Sequence, residues 1–138
     1  MIILGDIASP NSSTSVVITE AILTADFKEN QSVLFNLEGL ITDTFSSNEE
    51  KPILFNHSTI LNAFNQFDTK IAALANNHTL DFPEYLNPTK EIIRKKNFKS
   101  LGAGNKQDID IEFVVVKESG YNVCVYSNLL LFLPEKSH

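Results

Sequence analysis

The chain has 138 residues and only one cysteine, Cys124. No internal disulfide can form, and a lone thiol inside the apolar run "YNVCVYSNLLLFL" reads as a buried structural side chain rather than a nucleophile. Positive charge is scarce as well. Eleven Lys and Arg face 17 Asp and Glu, a net charge of −6. No basic stripe overrides this balance, because "RKK" at 94–96 reads as the charged end of a helix. Nucleic acid and anionic lipid would therefore be repelled over most of the surface. Long hydrophobic runs are missing too: "LLLFLP" is far too short to span a bilayer, so no transmembrane segment is expected. The opening "MIILGDIASP" lacks the basic and long apolar regions of a signal peptide. Internal repeats and low-complexity tracts are absent.

What is present is enough apolar material for a core. Hydrophobic residues make up 43% of the chain, and its length suits one domain. "MIILG" reads as a buried strand closing at Gly5-Asp6, and "SVLFNLEG" as a second closing at Glu38-Gly39. Between them, "ASPNSSTS" is a loop, and "VVITEAILTADF" fits either a strand or a short helix. "TDTFSSNEEKP" is a polar loop. "STILNAFNQF" places apolar residues at 60, 61, 64 and 67, a helical spacing, with Ser58 as its cap. "TKIAALA" is a third strand. "NPTKEIIRKKN" is a helix, capped by Asn87, with Pro88 in its first turn and basic residues at its end. "KSLGAG" is a short strand with a Gly turn, and "IEFVVVKES" with "YNVCVYSN" forms an antiparallel hairpin. This alternation predicts an α/β layered domain with mostly parallel strands and a C-terminal hairpin.

The strand ends carry the chemistry. One strand finishes at Asp6, one at Asn36 and Glu38, and one at Asn76-Asn77-His78 with Asp81 just after. In an open α/β sheet the carboxyl ends of parallel strands share one edge, where ligands bind. Turn formation explains Asp and Asn at any single strand end. Two carboxylates, an amide oxygen and an imidazole in one cleft also suit a divalent cation, because the carboxylates repel unless a cation or proton lies between them.

"GDI" at 5–7, "NLEG" at 36–39, "LANNHTLDF" at 74–82 and "GAGN" at 102–105 follow the order of the poly-gamma-glutamate capsule synthesis proteins, the CapA family. That family is similar to the calcineurin-like metallophosphoesterases. The resemblance spans roughly residues 1–127 and implies a layered α-β-β-α metallophosphoesterase-like fold with two divalent metal ions (Mn, Zn or Fe). It implies Asp6, Glu38 and Asn77 as metal ligands, Glu38 at the bridging position. His78 would stabilise charge or donate a proton, oriented by Asp81. Such a metal pair, about 3.5–4 Å apart, activates water and clamps the oxygens of an in-line displacement.

Three departures accompany the match. Ala8 stands where metallophosphoesterases carry a histidine, which points to the capsule-synthesis branch. Pro83 follows "DF" where relatives have glycine. The chain also ends before the second half that supplies further histidine ligands. Residues 1–138 are therefore expected to be one truncated, CapA-like domain, a bacterial fragment.

The expected function is capsule or poly-gamma-glutamate synthesis, with metal-dependent hydrolase activity on a phosphorylated or amide substrate when the missing half is present. The competing expectations are a catalytically incomplete binding or accessory domain, and a metal-free small-molecule binder. Self-association through the C-terminal apolar edge is expected, as is a location in the cytoplasm or peripheral to the cell envelope. His57 reads as a surface or capping residue, "LGAGNKQD" as a Gly turn, and Phe45, Phe55, Phe64 and Phe67 as core.

Overall fold

The computed structural model describes residues 1–27, 31–44, 54–103 and 113–127. Four strands form a fully parallel sheet: β1 (Ile2–Ile7), β2 (Ser32–Leu37), β5 (Thr69–Ala73) and β6 (Lys99–Leu101), in the order β1-β2-β5-β6. Two short strands, β3 (Leu40–Ile41) and β4 (Phe55–Asn56), pair in parallel beside it. The hairpin is β7 (Phe113–Glu118) and β8 (Tyr121–Tyr126). Ser119 and Gly120, at φ +50° and +84°, make its two-residue turn, the left-handed pair that suits the twist of a tight hairpin. The α/β class, the parallel strands and the C-terminal hairpin are as the sequence predicts.

Residue parity divides the sheet into two faces. Val33, Phe35 and Leu37 of β2, with Ala72 and Leu74 from β5 onward, face the helices. The helices are α1 (Ser12–Thr24), α2 (Leu86–Lys95) and a 3-10 helix, Ser58–Phe64. Phe35 stacks on Phe64 at 4.2 Å, and Phe98 meets both rings edge-on. Phe55, Phe64 and Phe67 are all buried, as their spacing implied. Each such side chain contributes about 1.5–3 kcal/mol on leaving water. On the opposite face Ile71, Leu101 and Leu34 meet Val114, Val116 and Val125 of the hairpin. The described residues thus stack as a helix layer, a parallel sheet and a β-hairpin. Among them no helix is long and apolar enough to cross a membrane.

Several local expectations change. The ambiguous segment after residue 15 is helical, and α1 starts earlier, at Ser12, because Asn11 accepts a hydrogen bond from the Thr14 N–H at 2.9 Å. Ser58 is not the cap of its helix. His57 takes that position and accepts from the Thr59 N–H, while the Ser58 hydroxyl and N–H both donate to Asp43 at 2.7 Å. Asn87 lies inside α2, whose first turn follows directly from a 3-10 turn at Pro83–Tyr85, so no side-chain cap is needed. Cys124 is exposed, not buried. Alternation along β8 sends Val123 and Val125 toward the sheet and Cys124 away from it. Phe45, most of the "TDTFSSNEEKP" loop, the end of "GAGN", "LLLFLP" and His138 lie outside the described residues.

Candidate metal and catalytic site at the strand ends

β1 does not run evenly along β2. Ile3 pairs with Leu34 but Asp6 pairs with Asn36, so one extra residue of β1 is taken up between them. This bulge sets Asp6 opposite Asn36 at the carboxyl edge of the sheet. The Asn36 amide then donates to both carboxylates, to Asp6 Oδ1 at 2.8 Å and to Glu38 Oε2 at 2.6 Å. An amide with two N–H groups thus stands between two negative charges. It supplies part of the compensation that the sequence reading assigned to a cation or a proton.

Asn76 is the buried hub beneath this pair. It caps the 3-10 helix Asn77–Leu80, its Oδ1 accepting from the Thr79 N–H at 3.1 Å. Its Nδ2 donates to the Leu37 carbonyl at 2.8 Å and to Asn36 Oδ1 at 3.1 Å. One side chain therefore fixes the exit of β5 against the exit of β2 and orients the amide that holds Asp6 and Glu38. Asn56 makes a similar tie. It accepts from the Ser9 N–H at 2.7 Å and donates to the Glu38 carbonyl at 2.7 Å, joining the loops after β1 and β2. Gly39 makes the turn after Glu38 at φ +84°, where an added Cβ would lie 2.1 Å from the Leu54 carbonyl oxygen.

The 3-10 helix presents His78 to this cluster. Its Nδ1 meets Asp81 Oδ2 at 2.8 Å, which fixes the proton on that nitrogen. Nε2 then faces Glu38 Oε1 at 3.8 Å. A lone pair aimed at a carboxylate is unfavourable unless a proton or a cation separates them. Two ligand atoms each about 2.1 Å from one divalent cation lie at most about 4.2 Å apart, so this separation is compatible with a shared ion.

Of the five residues singled out in the sequence, Glu38, His78 and Asp81 lie in one chain of contacts, and Asp6 joins it through the Asn36 amide. Asn77 is exposed at the start of the 3-10 helix and makes no hydrogen bond to those four. The donor types suit a divalent cation, but among the described residues no group of three or more His, Cys, Asp and Glu side chains is placed to hold one. The fit is that of a two-donor set, Glu38 and His78. Sequence reasoning missed the structural roles of Asn36, Asn56 and Asn76. Asn36 and Asn76 sat in the quoted motifs, but only contacts across strands separate a supporting amide from a ligand.

The chain thus has a parallel α/β sheet with carboxylates and an imidazole gathered at its strand ends, the edge at which open sheets of this class bind ligands. The model of the bacterial capsule synthesis protein family PGA_cap matches residues 7–135. The chain therefore belongs to the bacterial capsule synthesis protein family. No curated protein matches it.

Proposed function

We propose that this capsule-synthesis-type protein binds a divalent cation at the strand-end cluster and serves in metal-dependent hydrolysis of a bond in a cell-surface polymer or its precursor. The observation that carries this is the convergence of Asp6, Glu38 and the Asp81-oriented His78 from three separate strand ends. Glu38 and His78 would hold the cation, with Asp6 and Asn77 as the further ligands that the family resemblance implies. When bound, a divalent cation supplies Lewis acidity to the site. Asp81 keeps His78 in one tautomer, Asn36 keeps the two carboxylates apart in fixed positions, and Asn76 anchors both turns.

The test is a thermal melt of the chain with and without Mn²⁺ or Zn²⁺, beside Glu38→Gln. At a hundred times its Kd, a ligand that binds only the folded state adds about 2.7 kcal/mol, which raises the midpoint by several degrees. The rise should be absent in Glu38→Gln. A cooperative wild-type melt with no metal response would favour the second reading, a binding or accessory domain. That reading draws its support from the two-donor count among the described residues.

A further inference from the structure

The opposite edge of the sheet, where β5 and β6 begin, holds a second polar site. Asp68, Thr69, Lys70, Asn97, Phe98 and Lys99 line an open cleft of about 100 Å³ there. Lys70 is only 9% exposed, and its ammonium lies 5.1 Å from the centre of the Phe98 ring. It makes no ion pair and no hydrogen bond with any described residue. Every sealed side-chain nitrogen and oxygen among those residues has a partner. Lys70 Nζ has none, so it must touch the water of the cleft.

A lysine here needs explaining. Lys70 lies on the face of β5 that also carries Ala72, which faces the helices, and an apolar side chain would fill that place without the cost of desolvating a charge. The Phe98 ring offsets part of that cost. The helix-ending turn at Asn97, φ +61°, fixes the wall. The Asn97 and Phe98 N–H groups donate back to the Arg94 and Ile93 carbonyls, which holds Phe98 against the sheet. Lys99 adds a second ammonium at the rim, and Asp68 a single carboxylate. This end of an acidic molecule is locally basic.

We propose that the cleft binds one small oxyanion of phosphate or carboxylate type, held by Lys70 Nζ over the Phe98 ring with Lys99 at the rim. Asp68 opposes the anion and keeps the affinity low. The site is independent of the strand-end cluster, from which the length of the sheet separates it.

The experiment is calorimetric titration of the whole chain with inorganic phosphate and, separately, acetate, at low chloride with EDTA present. EDTA keeps the outcome distinct from any metal binding at the other edge. Saturable binding of at least one anion is expected, and the stronger of the two identifies the class. Lys70→Met should weaken it by about tenfold or more. Asp68→Asn, a rim change that leaves the core intact, should tighten it by about threefold. If Lys70→Met fails to fold, Asp68→Asn and Lys99→Gln carry the test with opposite expected signs. No saturable binding of either anion by the folded wild type overturns the proposal, as does binding that these substitutions leave unchanged.

Discussion

Replacing Asn76 by alanine removes the hub of the strand-end site. The side chain is 6% exposed. Its loss strips the Leu37 carbonyl of a 2.8 Å donor and the Thr79 N–H of its 3.1 Å acceptor, together with a longer contact from the Gly39 N–H. A buried polar group left without a partner costs about 1–3 kcal/mol, and losing a helix cap costs about 1 kcal/mol. Water entering the vacated space recovers part of this, so a net loss of about 3 kcal/mol is expected. For a chain of this length that lowers the melting midpoint by roughly 10 °C. Asn77 differs from Asn76 only in position. It is exposed, so Asn77→Ala should change stability by no more than about 0.5 kcal/mol. Urea unfolding of both variants, followed by far-UV circular dichroism, measures the contrast. A loss below about 1 kcal/mol for Asn76→Ala would refute the hub. Equal losses for the two variants would show that the tandem asparagines are not divided into support and exposed group.

Gly39→Ala places a Cβ 2.1 Å from the Leu54 carbonyl oxygen at a positive φ, and should cost about 3 kcal/mol in chemical denaturation; a loss under about 1 kcal/mol would mean that the turn relaxes freely. Burial of Asp43 raises its carboxyl, but the Ser58 N–H and hydroxyl, and then His57, outweigh that and hold it below the ordinary aspartate value. A carboxyl lowered in the folded state contributes stability that is fully present above about pH 4 and is lost as pH falls through the lowered value. Because the side chain is 46% exposed, the contribution should stay under about 1 kcal/mol. Asp43→Asn should therefore narrow the stability difference between neutral and acidic pH by that amount in urea titrations, and an unchanged difference would count against the Ser58 contacts.

Much of this protein was legible as pattern. Short apolar runs such as "SVLFNL" and "FVVVKE", bounded by turn residues, mark the strands, and in the fold alternate side chains of each divide between its two faces. The 60, 61, 64, 67 spacing named the residues that pack on the sheet, though the segment is a 3-10 helix rather than an α-helix. Cys124 shows the limit of composition. An apolar neighbourhood in sequence suggested burial, and hairpin parity turned the thiol outward. Polar residues at three strand ends could be read directly, and a parallel sheet necessarily collects such ends along one edge.

The sequence alone determined the α/β class, the order of the strands along the chain and the residue types available at their ends, since these follow from local periodicity and turn chemistry. Tertiary structure decided which of those residues work together. The β1 bulge aligned Asp6 with Asn36, the Asn36 amide came between two carboxylates, and Asn76 tied the exit of β5 to that of β2. The physical reason is range. Periodicity acts over a few residues, whereas a hydrogen bond between positions 36 and 76 exists only after the sheet has brought β2 and β5 side by side.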